Sequence, residues 1–213
     1  ILTVPLILEK IYKKMILPQL SKTTMKVALN IPLLDSRIYA QIRKKLVDAF
    51  GGRFREVIVG GAAMNEEVTN FLYKIKFPFT IGYGMTECGP LISYDHNDEY
   101  VPGSCGQILK GIMKVRIDSE DPCNKVGEIQ VSGENVMKGY YKNEEATSKV
   151  FTEDGWLRTG DLGTIDADNR IYIRGRSKTM ILGASGQNIY PEEIESKLNN
   201  LPFVMESIII EKN

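Results

Sequence analysis

Thr86 and Glu87 place a hydroxyl beside a carboxylate at the end of the run Gly82-Tyr83-Gly84-Met85-Thr86-Glu87. The glycines let a ligand come close to the backbone, Tyr83 offers an aromatic face, and Glu87 is a hard oxygen ligand suited to Mg²⁺. The run is not a dinucleotide-binding fingerprint, because Glu87 stands where a third glycine would be, and no GxxxxGK phosphate loop occurs in the chain. A turn between strand and loop, with an incidental tyrosine, is the other reading. A second run, Gly155-Trp156-Leu157-Arg158-Thr159-Gly160-Asp161, sets Asp161 between a glycine turn and a strand. Its carboxylate can accept the two hydroxyls of a ribose, or it can simply serve its own turn. A third run, Arg174-Gly175-Arg176-Ser177-Lys178, reads either as a solvated linker or as a hinge whose glycine absorbs a dihedral change.

The elements that must hold these groups are readable from periodicity. Pro5 to Ile16 predicts a helix with Leu8, Ile11, Tyr12 and Met15 on one face. Ser36 to Phe50 predicts another, with Ile38, Ile42, Leu46 and Phe50 recurring every fourth residue before Gly51-Gly52. A strand at Glu56–Val59, a loop Gly60-Gly61-Ala62-Ala63, a helix opening at Asn65 and a strand at Phe79–Gly82 imply a parallel pair. Open α/β sheets bind ligands at the carboxyl ends of such strands.

Short strands at Lys114–Ile117, Gly127–Val131, Leu162–Ile165 and Arg170–Ile173 then imply a small antiparallel sheet or partial barrel. Beyond Arg174 come a strand at Thr179–Leu182, the turn Gly183-Ala184-Ser185-Gly186, a helix from Pro191 and a strand at Ser207–Glu211. The expected class is α/β in three segments. Residues 1–95 form part of a parallel α/β subdomain, 96–173 an antiparallel β subdomain, and 174–213 a hinge with the start of a mobile α+β domain.

Composition excludes several functions. The chain of 213 residues is 43% apolar and 25% charged, enough to bury a core. Lys plus Arg and Asp plus Glu each number 27, so the basic surplus that phosphate neutralisation needs is absent, and nucleic acid is not an expected partner. The densest basic run, Arg43-Lys44-Lys45, reads as a solvated helix face. Cys88, Cys105 and Cys123 are scattered outside any CxxC spacing, which suits a reducing cytoplasm and argues against disulfides. One histidine, His96, makes no zinc site, and without GxSxG it makes no serine hydrolase. Cys88, beside Glu87, is read as a small buried filler rather than a reactive thiol. No apolar stretch approaches the roughly 20 residues of a membrane span, which leaves only peripheral membrane contact open.

Taken in order, the three runs resemble the adenylate-forming superfamily of acyl-CoA synthetases, luciferases and peptide-synthetase adenylation domains. Gly82–Glu87 is similar to its YGxTE signature and Thr159-Gly160-Asp161 to its TGD. Arg176 to Glu195 is similar to its hinge and the start of its mobile domain. Val4–Tyr12 and Gly186–Glu195 further resemble the long-chain fatty acid–CoA ligase branch.

The resemblance implies that a carboxylate and ATP form acyl-AMP, followed by thioester formation with coenzyme A. It implies adenine between Gly61-Ala62-Ala63 and the ring of Tyr83, the α-phosphate on Thr86, and Mg²⁺ on Glu87. Ribose falls to Asp161 and Arg176, the acyl carboxylate borders Gly84, and the hinge pivot falls to Gly175. A carrier-protein acceptor, or a noncatalytic nucleotide-binding relative, are the alternatives. The family's glycine-rich phosphate loop and its late catalytic lysine are not found in these residues; Ser21-Lys22-Thr23-Thr24 lacks glycine. With Ile1 in place of an initiator methionine, the chain is expected to be a fragment, inactive in isolation.

Overall fold

The computed structural model describes every residue except Ala184, Pro202, Lys212 and Asn213. Contacts divide it into two compact units, residues 1–81 with 96–103, and residues 82–95 with 104–213.

In the first unit a short strand β1 (Leu2–Thr3) precedes α1 (Pro5–Ile11), whose Pro5 sits where a missing N–H costs nothing. A π-helical stretch at Tyr12–Ile16, α2 (Leu17–Leu20), α3 (Thr23–Leu29) and α4 (Leu34–Ala49) follow. Leu8, Tyr12 and Ile16 are buried, whereas Met15, expected on that face, is 59% exposed. The wider π turn carries the inward position one residue further. On α4, Leu46 is buried and Ile42 and Phe50 pack beside it, as their spacing requires.

The chain then forms β2 (Val57–Val59), α5 (Glu66–Lys74) and β3 (Phe79–Ile81). Asn65 caps α5, its side chain accepting from the backbone N–H of Glu67 at 3.0 Å and of Val68 at 3.3 Å. The sheet has the order β1-β2-β3, all parallel, with Val57 opposite Phe79. The predicted parallel pair is therefore present, with β1 added at the edge of β2. Phe79 is 1% exposed, a burial that contributes roughly 1.5–3 kcal/mol. Residues 96–103 complete this core: the Tyr100 ring lies 5.0 Å from that of Phe79, and Asn97 donates twice, each at 3.1 Å, to the buried carboxylate of Glu56.

The second unit begins with an antiparallel ribbon, β4 (Tyr83–Gly84) and β5 (Leu91–Ser93). Its main sheet comprises β6 (Met113–Asp118), β7 (Gly127–Gly133), β8 (Leu157–Ile165) and β9 (Ile171–Arg176), antiparallel and in sequential order, with α6 (Glu144–Val150) between β7 and β8. This is a sheet rather than a closed barrel among the described residues. Segment 104–109 joins ribbon to sheet: Tyr94 N–H donates to Gln107, and Cys105 N–H to Ile171. An ion pair from Arg170 Nε to Oδ2 of the buried Asp95, at 3.1 Å, pins the end of residues 82–95 to the same sheet. Ile92, Ile129, Val131, Leu157 and Ile171 form the core.

β8 starts at Leu157, five positions ahead of the strand expected at Leu162–Ile165, and takes in Thr159 to Asp161. Asp161 thus lies inside a ladder opposite Arg176, not between a turn and a strand. After β9, a small hairpin of β10 (Ile181–Leu182) and β11 (Asn188–Ile189) leads to α7 (Pro191–Leu198). Of the turn expected between those strands, Ala184 lies outside the described residues. The expected strand at Ser207–Glu211 is not formed: its three consecutive isoleucines, Ile208 to Ile210, have no ladder partner among the described residues. No helix among the described residues is long and apolar enough to cross a membrane.

Candidate active site

Asp161 is the best-anchored of the expected site residues. Its side chain is 8% exposed, and Tyr83 Oη donates to Oδ2 at 2.8 Å while Arg176 Nε lies 3.1 Å from Oδ1. Its backbone N–H is held by Thr159 Oγ1 at 3.1 Å, and that hydroxyl donates to the Ile129 carbonyl at 2.8 Å. Burial first, and then the charge of Asp161, push the Tyr83 hydroxyl far above the usual phenol value. It therefore stays protonated and remains a donor to the carboxylate. Arg176 is 68% exposed, so only Asp161 among the pair is fixed by packing.

The Tyr83 ring itself belongs to the core of the second unit and is 6% exposed. What this packing puts to use is the hydroxyl; little of the ring face expected to meet a base is uncovered.

Two residues beyond β4, Thr86–Cys88 forms a 3₁₀ turn that leaves Thr86 exposed and Glu87 half-buried. Glu87 Oε1 accepts from Tyr140 Oη at 2.9 Å. Cys88 is fully buried, and burial, reinforced by the charge of Glu87, pushes its thiol up to about 11. At neutral pH it is an uncharged filler, as expected. Gly84 is required by the ribbon: a Cβ there would strike the Pro90 carbonyl and come within 3.0 Å of Leu91 Cα.

Thr86, Glu87, Tyr83, Gly84, Asp161, Gly175 and Arg176 all belong to the second unit, whereas Gly61, Ala62 and Ala63 lie on the exposed loop after β2 of the first. Gly175, expected as the hinge, is buried in β9 opposite Leu162, and a Cβ on it would meet Glu192 Oε2 at 3.0 Å and the Tyr190 ring at 3.3 Å. The ladder ends at Arg176, and Ser177–Thr179 is an exposed turn. Within this stretch trypsin is expected to cut first after Lys178, because Arg174 and Arg176 must leave the sheet before a protease can bind them. Mass spectrometry of early digests checks this; prior cleavage after Arg174 would show that β9 opens on its own.

Sequence reasoning did not single out Tyr140 or Asn135. Asn135 Nδ2 donates to the carbonyls of Cys88 at 2.6 Å and Leu91 at 2.9 Å, bracing the turn that carries Glu87. Among the described residues no group of three or more His, Cys, Asp or Glu could hold a metal. The donors near the turn are the Glu87 carboxylate and the Thr86 hydroxyl, both hard oxygens. That set fits Mg²⁺ arriving with a polyphosphate, because Mg²⁺ takes one or two protein carboxylates and fills its remaining positions with phosphate and water.

The second unit thus presents a buried carboxylate held by Tyr83 and Arg176, and a turn that carries a hydroxyl and a carboxylate. Residues 1–141 match the family model described as AMP-binding enzyme. The chain belongs to this family, the adenylate-forming enzymes. It is 32% identical over 169 residues to a long-chain-fatty-acid–CoA ligase of Mycobacterium bovis, covering 79% of this chain and 27% of that protein. It is 33% identical over 192 residues to 4-coumarate-CoA ligase 1 of Narcissus pseudonarcissus, covering 84% and 35%. Its fold matches the O-succinylbenzoate coenzyme A synthetase of Bacillus subtilis in complex with ATP and magnesium ion, with a TM-score of 0.63 and 30% identity over 76% of this chain and 36% of that one. The chain thus spans about a third of the length of these proteins.

Proposed function

We propose that the protein carrying this chain is an ATP-dependent long-chain fatty acid–CoA ligase. The fatty acid carboxylate attacks the α-phosphorus of ATP, pyrophosphate leaves, and the thiol of coenzyme A then displaces AMP to give the thioester. The observation that carries the ATP-dependent part of this reading is the Tyr83–Asp161–Arg176 constellation, with Thr86 and Glu87 in the turn just beyond β4.

In it, Asp161 accepts the ribose hydroxyls, with Arg176 as the second ribose contact, and Gly61, Ala62 and Ala63 line the adenine. Thr86 hydrogen-bonds the α-phosphate, and the Glu87 carboxylate takes the divalent cation. When bound, Mg²⁺ offsets the repulsion between an anionic nucleophile and a polyphosphate and stabilises the leaving group. Residues 174–213 act as a hinge and the beginning of a mobile domain, with the pivot placed at Gly175 or in the exposed turn that follows it. Because the phosphate loop and lysine of the family are not among these 213 residues, the chain alone supplies adenosine recognition without most of the positioning that phosphoryl-type transfer needs.

The fatty acid assignment rests on the resemblance of Val4–Tyr12 and Gly186–Glu195 and on the bacterial relative. The equally similar 4-coumarate ligase favours a second reading, an aromatic acid as substrate. Pyrophosphate release by the full-length protein, with palmitate, 4-coumarate, acetate and an amino acid compared, separates the two. Palmitate is expected to give the highest rate. Preference for 4-coumarate would replace the long-chain reading, and preference for an amino acid would remove both. Trapping the acyl group with coenzyme A or with a carrier protein then identifies the thiol acceptor.

A further inference from the structure

The carboxylate of Glu87 is held by a residue from much later in the second unit. Tyr140, 53 positions on, donates its hydroxyl to Glu87 Oε1 at 2.9 Å. Tyr140 is itself placed by Thr147, whose Oγ1 accepts the Tyr140 backbone N–H at 2.9 Å while donating to the Asn143 carbonyl at 2.8 Å at the start of α6. Two earlier residues of the same segment grip the backbone of the turn. Met137 N–H donates to the Glu87 carbonyl at 2.7 Å, and Asn135 Nδ2 bridges the Cys88 and Leu91 carbonyls.

The chemistry of the partner matters. Lysine or arginine at this place would neutralise the carboxylate and repel a cation. A phenol orients it and leaves its full negative charge, and no Lys, Arg or His among the described residues is ion-paired with Glu87. With Oε1 engaged, Oε2 is the oxygen left to a ligand.

We propose that Tyr140 is a positioning residue for the metal–nucleotide site: its hydroxyl fixes Oε1 of Glu87 so that Oε2 is presented to the divalent cation accompanying ATP. The segment from Asn135 to Tyr140 makes that orientation a property of the β7–α6 connection rather than of the exposed turn. This rests on the reading of Glu87 as the metal carboxylate, and the experiment separates the two.

The full-length protein, with a non-hydrolysable ATP analogue, is titrated with Mn²⁺ and bound metal is read by electron paramagnetic resonance. Tyr140→Phe is expected to weaken Mn²⁺ in the ternary complex by about three- to tenfold, the scale of one ordinary hydrogen bond, because the contact is open to solvent and water can partly replace it. Analogue binding measured in EDTA, and the melting temperature, are expected to stay unchanged. Tyr141→Phe, at the neighbouring and 89% exposed ring, is expected to change nothing. Glu87→Gln supplies the reference. If it leaves Mn²⁺ binding intact, the metal role of Glu87 is wrong and the proposal goes with it. If it weakens Mn²⁺ and Tyr140→Phe does not, the proposal alone is overturned. Tighter Mn²⁺ binding by Tyr140→Phe would make the tyrosine a competitor, and a parallel loss of metal-free analogue binding would make it merely structural; either result also overturns it.

Discussion

Replacing Asp161 by alanine is expected to raise the KM for ATP by roughly 10- to 100-fold, with the KM for the carboxylic acid nearly unchanged. The magnitude follows from hydrogen bonds to a charged acceptor, about 1.5–3 kcal/mol, at 1.4 kcal/mol per factor of ten. The same change strands the Tyr83 hydroxyl, which is buried and donates to Oδ2, at a cost of about 1–3 kcal/mol in stability. Asp161→Asn separates the effects. Its amide oxygen can still accept from Tyr83, so stability should recover, while ATP use should stay impaired because the charge and one acceptor are gone. Steady-state kinetics with each substrate varied, alongside thermal unfolding, reads both. A normal KM for ATP in the alanine variant would end the ribose assignment, and a fall in melting temperature by itself would leave Asp161 a purely structural role.

Gly84→Ala is expected to destabilise the fold by about 1–3 kcal/mol or more and to impair every substrate together. The family resemblance places this glycine beside the acyl carboxylate, where a methyl group would obstruct attack and raise the KM for the acid alone. The structure supplies a nearer obstacle. The new Cβ would collide with the Pro90 carbonyl across the ribbon, and backbone cannot swing aside as a flexible side chain can. Since Gly84 lies between Tyr83 and the Thr86–Glu87 turn, any displacement disturbs both anchors. Thermal unfolding and the KM values for ATP and acid decide the matter. Unchanged stability with a selective effect on the acid would support the acyl-border role instead.

Much of the architecture is legible in the sequence because the residues involved carry strong periodic or punctuating signals. Val57–Val59 and Phe79–Ile81 are short runs of β-branched and aromatic residues separated by a capped amphipathic helix, and they pair in parallel as that order demands. The capping by Asn65 is equally open to reading, since its oxygen has one obvious task ahead of Glu66 and Glu67. Other features leave no local trace. The two-residue β1 is too short to show alternation. Leu157 to Asp161 reads as a turn because Gly155 and Gly160 punctuate it, yet Gly160, at φ 73°, is accommodated inside β8. The candidate site divides along the same line. Thr86, Glu87, Asp161 and Arg176 announce themselves by residue type and motif order, whereas Tyr140 becomes visible only when the β7–α6 connection folds back on the turn.

The order in which the chain visits its two units has a consequence for synthesis. It leaves the first unit after Ile81, builds the ribbon, returns for His96–Gly103, and then departs for good. Phe79 therefore waits for Tyr100, and the buried carboxylate of Glu56 waits for Asn97, before the first core can close. By the time the ribosome has delivered those partners, Tyr83, Thr86 and Glu87 have already been translated. No single break in the polypeptide separates one unit from the other, so a gene fragment ending at Ile81 would encode a core without its last wall.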